Sequence, residues 1–210
     1  MFDKFEKLPE EKKEKIINAC IEEFAKYGYE KSSTNRIIKR ADISKGILFH
    51  YFGNKKSLYL YIVDYAMNYY SDKVDKCIEN IETKDIFERI KAWSLIKLKL
   101  FSEEPLMYYM TFNIFFKGSD KIKSEIQERY AKLSQKYMNV LIDGIDREMF
   151  RDDIDTNKAI DLLLVTFDGI GNKYVELYKR NSEKLLADFE DIIVEIDEYM
   201  DILKKGFYKE

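Results

Sequence analysis

The sequence predicts an all-α protein of about nine helices, and three observations support this fold class. Only two prolines and eight glycines occur among 210 residues, so residues that interrupt helices are scarce. Glu, Lys and Leu, which favour helices, are frequent in the long segments. Apolar residues also recur at intervals of three and four, which is the period of one helix face. One or two domains are expected at this length.

The first long helix is predicted between Pro9 and Gly28. Proline is favoured at the first helical position, and the glutamates that follow it suit the positive end of the helix dipole. Gly28 is expected to end the helix as a left-handed C-cap. The apolar face of this helix carries Ile17, Cys20, Ile21 and Phe24.

Two short helices are predicted next, at about 34–41 and 45–52. Ser33 or Thr34 can cap the first and Ser44 the second, because a hydroxyl oxygen accepts the free N–H groups at a helix start. Two short helices joined by a tight turn and packed on a preceding helix form a helix-turn-helix. The second short helix of that motif is the one that enters a major groove.

The rest of the chain is predicted to stay helical. Asn54 can cap a long helix that follows the break at Gly53. Further helices are predicted near 84–101, 105–117, 120–149, 156–181 and 183–206. This order gives a three-helix helix-turn-helix head at 1–54 and a larger helical body at 55–210.

The charge is distributed unevenly along the chain. Residues 26–56 carry a net charge of +6, whereas the other residues carry −9, within a total of −3. A basic head on an acidic body indicates that the head meets a polyanion, although a solvated charged face would give the same count.

Several classes of protein are not expected from the composition. Cys20 and Cys77 are far apart and form no metal-ligand pattern, so both are interpreted as small apolar residues and no metal or cofactor is expected. The N-terminus lacks the apolar segment of a signal peptide, and no apolar run is long enough to span a membrane. A cytoplasmic protein without a membrane partner is therefore expected.

The stretch GYEKSSTNRIIKRADISKGILFHYFGNKKSLY, from Gly28 to Tyr59, resembles the DNA-binding head of the TetR family of bacterial transcriptional regulators. The resemblance covers about 10–58. Asp42 stands where the family usually has glycine, but aspartate tolerates left-handed backbone. Ile38 replaces a usual alanine and Phe49 a frequent tyrosine. The resemblance implies a DNA-binding head, an effector pocket in the body, and a dimer.

The residues expected to bind DNA lie in the two short helices and at the start of the next helix. They are Ser33, Thr34, Asn35, Arg36, Lys45, Gly46, Phe49, His50, Tyr51 and Lys55.

These residues have different expected roles. The resemblance implies phosphate contacts for Thr34, Tyr51 and Lys55. Lys45 can donate to guanine, and Asn35 and Arg36 can reach base edges or nearby phosphates. Gly46 lets the backbone approach the groove floor. Phe49 either contacts a thymine methyl group or packs in the core, and His50 is expected to contact a phosphate or a groove. Ser33 and Thr34 also have helix capping as a purely structural role.

An aromatic-rich body is consistent with the effector pocket that the resemblance implies. The candidate lining residues are Trp93, Tyr109, Phe112, Phe116, Tyr137, Phe167 and Asp168. Most aromatic residues must pack in the core, so this set is a hypothesis. Asp143 or Asp168 inside the pocket would favour a cationic effector, and their absence would favour a neutral or fatty one.

The last two predicted helices carry apolar stripes that either pair with a second copy or complete the internal core. The candidate homodimer residues are Leu164, Gly171, Phe189, Ile193, Ile196 and Met200.

The sequence thus predicts a ligand-responsive homodimer that binds a palindromic double-stranded DNA operator, acting as a repressor that a small apolar or aromatic effector releases. An interaction module that has lost DNA binding is the alternative. A helical enzyme is not expected, because the sequence shows no constellation of catalytic side chains.

Overall fold

A computed structural model describes residues 2–78, 82–113, 119–178 and 180–209. The α-helices within these ranges are α1 Asp3–Glu6, α2 Glu10–Lys31, α3 Thr34–Ala41, α4 Lys45–Phe52, α5 Lys55–Ile78, α6 Ile86–Glu103, α7 Pro105–Tyr108, α8 Lys123–Ile142, α9 Thr156–Tyr178, α10 Ser182–Ala187 and α11 Phe189–Phe207. Within the same ranges the only strand-like pairing is an isolated bridge between Phe150 and Tyr208. The prediction of an all-α fold is confirmed.

The chain divides into two compact units. Unit 1 consists of Met1–Asp72 and Leu106–Ser134, and unit 2 consists of Lys73–Pro105 and Gln135–Glu210. The predicted head at 1–54 lies within unit 1, which also includes part of α5 and the first half of α8.

The core of unit 1 is built on α2, α3, α4 and α5. Each helix contributes the apolar residues that its spacing predicts, and the fully buried ones include Cys20, Ile37, Leu48, Leu58 and Ile62. The two short helices are therefore held by apolar contact with longer helices rather than by their own hydrogen bonds, which isolated eight-residue helices cannot rely on.

The second segment of unit 1 packs on this core and is also held by ion pairs. Ile122 and Ile126 join the same buried cluster. Arg129 of α8 donates to both carboxylate oxygens of Asp64 in α5, at 2.5 and 3.0 Å. Lys56 pairs with Glu125. Such a two-point Arg–carboxylate pair fixes orientation as well as distance.

The core of unit 2 lies between α6, α9 and α11. Its buried side chains include Ile90, Leu98, Leu163, Phe167, Tyr174, Ile192, Ile196 and Met200. The C-terminal residues close this unit. The Tyr208 hydroxyl donates to Asp85 at 2.8 Å, and the Tyr208 ring packs edge-on against Phe150 with 5.1 Å between centroids.

The helix predicted to end at Gly28 continues to Lys31 across a kink at Gly28. Three later predicted helices also differ from the observed ones. The helix predicted at 120–149 ends at Ile142, because Gly144 adopts a φ of 71°. The helix predicted at 183–206 is broken at Asp188 into α10 and α11. Within the segment predicted as a helix at 105–117, α7 is followed by a π-helical turn at Tyr109–Asn113; residues 114–118 lie outside the described part. None of the helices in the described ranges has the length and apolarity to cross a membrane.

Candidate nucleic-acid interface

The turn between α3 and α4 sets the orientation of the surface that the sequence assigns to DNA. Asp42 adopts left-handed backbone with φ 55° and ψ 49°, as its side chain permits. The Ile43 N–H then returns to the Ile38 carbonyl at 3.1 Å, which closes α3. The Ser44 hydroxyl accepts the Ile47 N–H at 3.2 Å and caps α4. A short helix-turn-helix results.

One face of α4 is buried and the opposite face is open. Leu48 and Phe52 have exposed fractions of 0% and 2%, and they anchor α4 to the core of unit 1. Lys45, Gly46 and His50 are exposed, whereas Phe49 and Tyr51 are half-buried. A Cβ atom added at Gly46 would meet only the Ser44 hydroxyl, at 3.9 Å. The backbone of α4 is thus open to close approach at this point.

The short helix α1 brings an additional cation to this face. Phe5 is fully buried and packs against the Phe52 ring, with 4.7 Å between centroids. This contact places the Lys4 ammonium 3.4 Å from Nε2 of His50. Lys4 was not among the residues predicted from the sequence to bind DNA. The only signal for it is the spacing of Phe2 and Phe5, which marks one face of a helical turn.

The Arg36 side chain binds to other residues of unit 1. Its Nε and Nη2 atoms donate to the Glu23 carboxylate at 2.5 to 3.0 Å, and its guanidinium stacks on the Tyr27 ring at 4.3 Å. The Ser33 N–H donates to the same carboxylate at 2.8 Å. Arg36 therefore fixes the start of α3 on α2, so its charge is largely balanced before any DNA arrives.

The Lys55 ammonium also makes hydrogen bonds within unit 1. Its ammonium donates to the Ser32 carbonyl at 2.7 Å and to the Glu30 carbonyl at 3.3 Å, and it lies 5.0 Å from the centre of the Tyr29 ring. Burial lowers the pKa of this ammonium below its usual value. An ammonium has three N–H donors, so a phosphate contact would use the remaining one.

The other expected DNA contacts surround the turn. Ser33 occupies the N-cap position of α3, but its side chain makes no capping hydrogen bond. Thr34 is half-buried beside it. Asn35 is exposed and lines a groove with Ser44, Ile47 and Tyr51. Ile47 was also not identified from the sequence, although its place in α4 follows from the helical period.

The candidate effector residues are divided between the units. Trp93 and Tyr137 lie in unit 2 with their ring centroids 4.9 Å apart, and Phe167 is 2% exposed in the core of that unit. Asp168 is exposed and pairs with Lys97 at 2.9 Å. Tyr109 belongs to unit 1. The Phe112 side chain and Phe116 lie outside the described residues.

The candidate dimer residues are mostly covered within the chain. Ile196 and Met200 are 0% and 4% exposed, and Leu164, Gly171, Phe189 and Ile193 are half-buried. The apolar side chains that α9 and α11 expose are not the predicted dimer residues. The exposed apolar residues of these two helices are Leu162, Val165, Leu177, Val194 and Ile202, with exposed fractions between 52% and 72%.

Comparison with known proteins identifies related sequences for both parts of the chain. Residues 16–62 match the family of bacterial regulatory proteins of the tetR family, and residues 84–208 match the tetracyclin repressor-like C-terminal domain. The HTH-type transcriptional regulator YuxN of Bacillus subtilis is 40% identical over 136 residues. That alignment spans 64% of this chain and 45% of YuxN, so the chain aligns with less than half of that relative.

Two further comparisons cover nearly the whole chain. The fatty acid metabolism regulator protein of Bacillus subtilis is 22% identical over 200 residues, which is 92% of this chain and 94% of that protein. The crystal structure of a TetR family transcriptional regulator from Chloroflexus aurantiacus has a TM-score of 0.73 at 24% identity, and covers 99% of this chain and 98% of that one.

The fold and the exposed second helix of the motif define a helix-turn-helix protein with a helical C-terminal domain. Because the matched models together cover most of the chain, the protein belongs to the tetR family of bacterial regulatory proteins. The family resemblance drawn from residues 28–59 is confirmed.

Proposed function

We propose that the protein is a homodimeric repressor that binds a palindromic operator through α4 and its flanking residues. The observation that carries this proposal is the outward face of α4 at Gly46 and His50, with the exposed Lys45 at the start of the helix, whereas the other face of α4 is anchored in the core. A helix presented in this way fits the major groove, and two copies would read half-sites about 34–36 Å apart. The protein would act in the cytoplasm, where its DNA lies.

The proposed DNA surface combines donors of several kinds. Lys45 supplies a charge at the start of α4, and Lys4 and His50 supply two further donors towards its end. Asn35 and Tyr51 lie beside the groove that borders the helix. Donors distributed in this way suit phosphates on both sides of a major groove, with base contacts between them.

The proposed dimer interface is formed by α9 and α11. The exposed Leu162 and Val165 lie one turn apart on α9, and Val194 and Ile202 lie two turns apart on α11. Apolar faces of two helices can pair with the same faces of a second copy to form a four-helix bundle. Of the interface residues named from the sequence, Ile196 and Met200 are left out of this proposal, because they are buried within the chain. The half-buried Leu164, Gly171, Phe189 and Ile193 remain candidates.

The proposed effector carries no cationic group, and a molecule with a long apolar acyl chain is the leading class. Asp143 and Asp168 are both exposed, so neither supplies a buried anion for a cationic effector. The similarity to a fatty acid metabolism regulator over 92% of this chain favours the acyl class. Effector binding would shift the population towards a conformation with lower operator affinity, within the limit set by its differential affinity.

A gel-shift assay on the DNA upstream of the protein's own gene tests the proposal. A retarded band that palmitoyl-CoA abolishes, and that an aromatic quaternary ammonium compound leaves in place, is the expected result. A band that neither compound affects would keep the DNA-binding function and reject the acyl effector. Failure to bind this DNA or any selected duplex would favour the alternative, an interaction module without DNA binding.

A further inference from the structure

Ile47 is a large apolar side chain that α4 leaves 43% exposed. Its neighbour Leu48 is fully buried, so the exposure of Ile47 follows from its place on the helix and not from loose packing of α4. A single exposed isoleucine is unremarkable on most surfaces. This one lies in the most basic segment of the sequence, on the face assigned to DNA.

The position of Ile47 on α4 can be derived from the helical period. Successive residues are rotated by about 100° around a helix axis. The buried direction lies between Leu48 and Phe52, and the opposite direction is occupied by His50, with Gly46 and Ile47 on either side. Ile47 therefore belongs to the outward face.

The groove that Ile47 borders combines apolar and polar side chains. Leu8, Ile16, Ile38 and Ile43 line it together with Asn35, Lys39 and Ser44. Asn35 and Lys39 are exposed on α3, and both can donate to nucleic acid. An apolar side chain with hydrogen-bond donors beside it suits a partner that has polar edges and an apolar point.

We propose that Ile47 is a specificity-determining residue that packs against the C5-methyl group of a thymine in each operator half-site. This inference rests on the proposed function. Thymine is the only base that presents a methyl group in the major groove. Gly46, immediately before Ile47, leaves space for the backbone to approach the groove floor. Burial of the methyl group against Ile47 would remove both apolar surfaces from water.

Phe49 is the competing residue for such a contact, and the geometry favours Ile47. By the same period, Phe49 lies about 100° from the outward direction and Ile47 about 60° from it. Phe49 is half-buried, whereas Ile47 is exposed. A thymine that meets the outward face would therefore reach Ile47 first.

The first experiment identifies the methyl group. A duplex is selected from a random library by the full-length protein, and each thymine is then replaced in turn by uracil, which removes only the methyl group. At one symmetric pair of positions, the affinity should fall about fourfold per methyl removed, or roughly fifteenfold for both half-sites, as expected for burial of one methyl-sized group. Replacement at the other thymines should leave the affinity unchanged.

The second experiment assigns the contact to a residue. With Ile47→Ala, the thymine and uracil duplexes should bind equally well, because the partner of the methyl group is gone. Phe49→Ala should retain the full difference between the two duplexes. Val140→Ala, a truncation of a residue that is 38% exposed in unit 2, should bind both duplexes as the unmodified protein does. Melting temperatures of all variants establish that each is folded.

The possible outcomes separate this inference from the function on which it rests. If a duplex is selected but no uracil substitution lowers its affinity, or if the thymine effect persists in Ile47→Ala and disappears in Phe49→Ala, then the inference is overturned and operator binding stands. If no duplex is selected at any salt concentration, the proposed function fails and the inference fails with it.

Discussion

The Glu23 carboxylate is fully buried and connects α2 to the start of α3. Burial acts to raise the pKa of this carboxyl group, but hydrogen bonds from Arg36 and from the Ser33 N–H outweigh it, so the pKa lies below its usual value. The carboxylate is therefore ionised in the folded protein and pairs with the Arg36 guanidinium. Glu23 thus supports the helix-turn-helix without contacting DNA itself.

Replacement of this carboxylate should destabilise the protein. Glu23→Gln keeps the shape of the side chain but removes the charge that Arg36 and Ser33 bind, at a cost of roughly 2 kcal/mol in the free energy of unfolding. Denaturant unfolding at pH 7 measures this cost. Gln135→Glu, an isosteric exchange at an exposed site, is the matched control and should leave stability nearly unchanged.

The pH dependence of the Glu23 effect has a definite sign. Because the folded-state pKa is lowered, the stabilisation is complete above the unfolded-state value of about 4.5 and is lost as the pH falls below it. The difference between the unmodified protein and Glu23→Gln should therefore shrink between neutral pH and the acid range. An equal difference in stability at neutral and at acid pH would contradict the assignment of the effect to the ionised carboxylate.

Lys45 should determine base preference rather than general affinity. It is exposed at the start of α4, where an ammonium can reach guanine in the major groove. Lys45→Ala should cost about 1–3 kcal/mol on the best site and relax the preference at one base pair. Binding to a set of duplexes with single base changes measures this effect, with the exposed Lys76→Ala as control. Equal weakening on every duplex would instead make Lys45 a phosphate contact.

At the scale of elements, the residues that interrupt helices were predictable. Gly28, Asp42 and Gly53 all adopt positive φ, as their small or polar side chains allow. Gly28 bends α2, and the helix continues for a short turn to Lys31. The boundaries of α3 and α4 also agree with the sequence, because each begins directly after a serine.

The boundaries in the second half of the chain were less predictable, for identifiable reasons. The break at Asp188 is stabilised by the Tyr178 hydroxyl, which donates to its carboxylate at 2.6 Å. This contact joins the last residue of α9 to the residue between α10 and α11, and it leaves no local signal. The apolar period continues through the break, and that is why the sequence predicts a single helix there.

The exposed apolar face of α9 and α11 makes the dimer proposal testable. Val165 is 72% exposed, so Val165→Lys should leave the protomer folded but place a charge in the proposed interface, where an unpaired charge is costly. Sedimentation velocity should then show a monomer. The matched control is Val140→Lys, which changes an exposed valine of α8 and should remain dimeric. A dimeric Val165→Lys variant would reject this interface.

For the whole molecule, the sequence predicted the fold class and the helix-turn-helix better than the packing of the body. Periodicity identifies which face of a helix is apolar, but it does not say what covers that face. The stripe containing Ile196 and Met200 therefore allowed either an interface or a core, and both residues are in the core. Phe167 is likewise a core residue of unit 2. The helix-turn-helix was readable from the sequence because its turn and helix starts depend on local residues.

The uneven charge of the chain leads to the most direct test. Residues 26–56 carry +6 within a protein of net charge −3, so the head should bind the phosphate backbone while the rest of the chain is repelled by it. Binding to the selected duplex, followed by fluorescence anisotropy from about 50 to 200 mM salt, should weaken with a log–log slope near −0.9 per phosphate neutralised. Lys4→Ala should reduce that slope by about one phosphate. A slope near zero for the unmodified protein, or no binding even at the lowest salt concentration, would contradict the claim that α4 presents its exposed face to DNA.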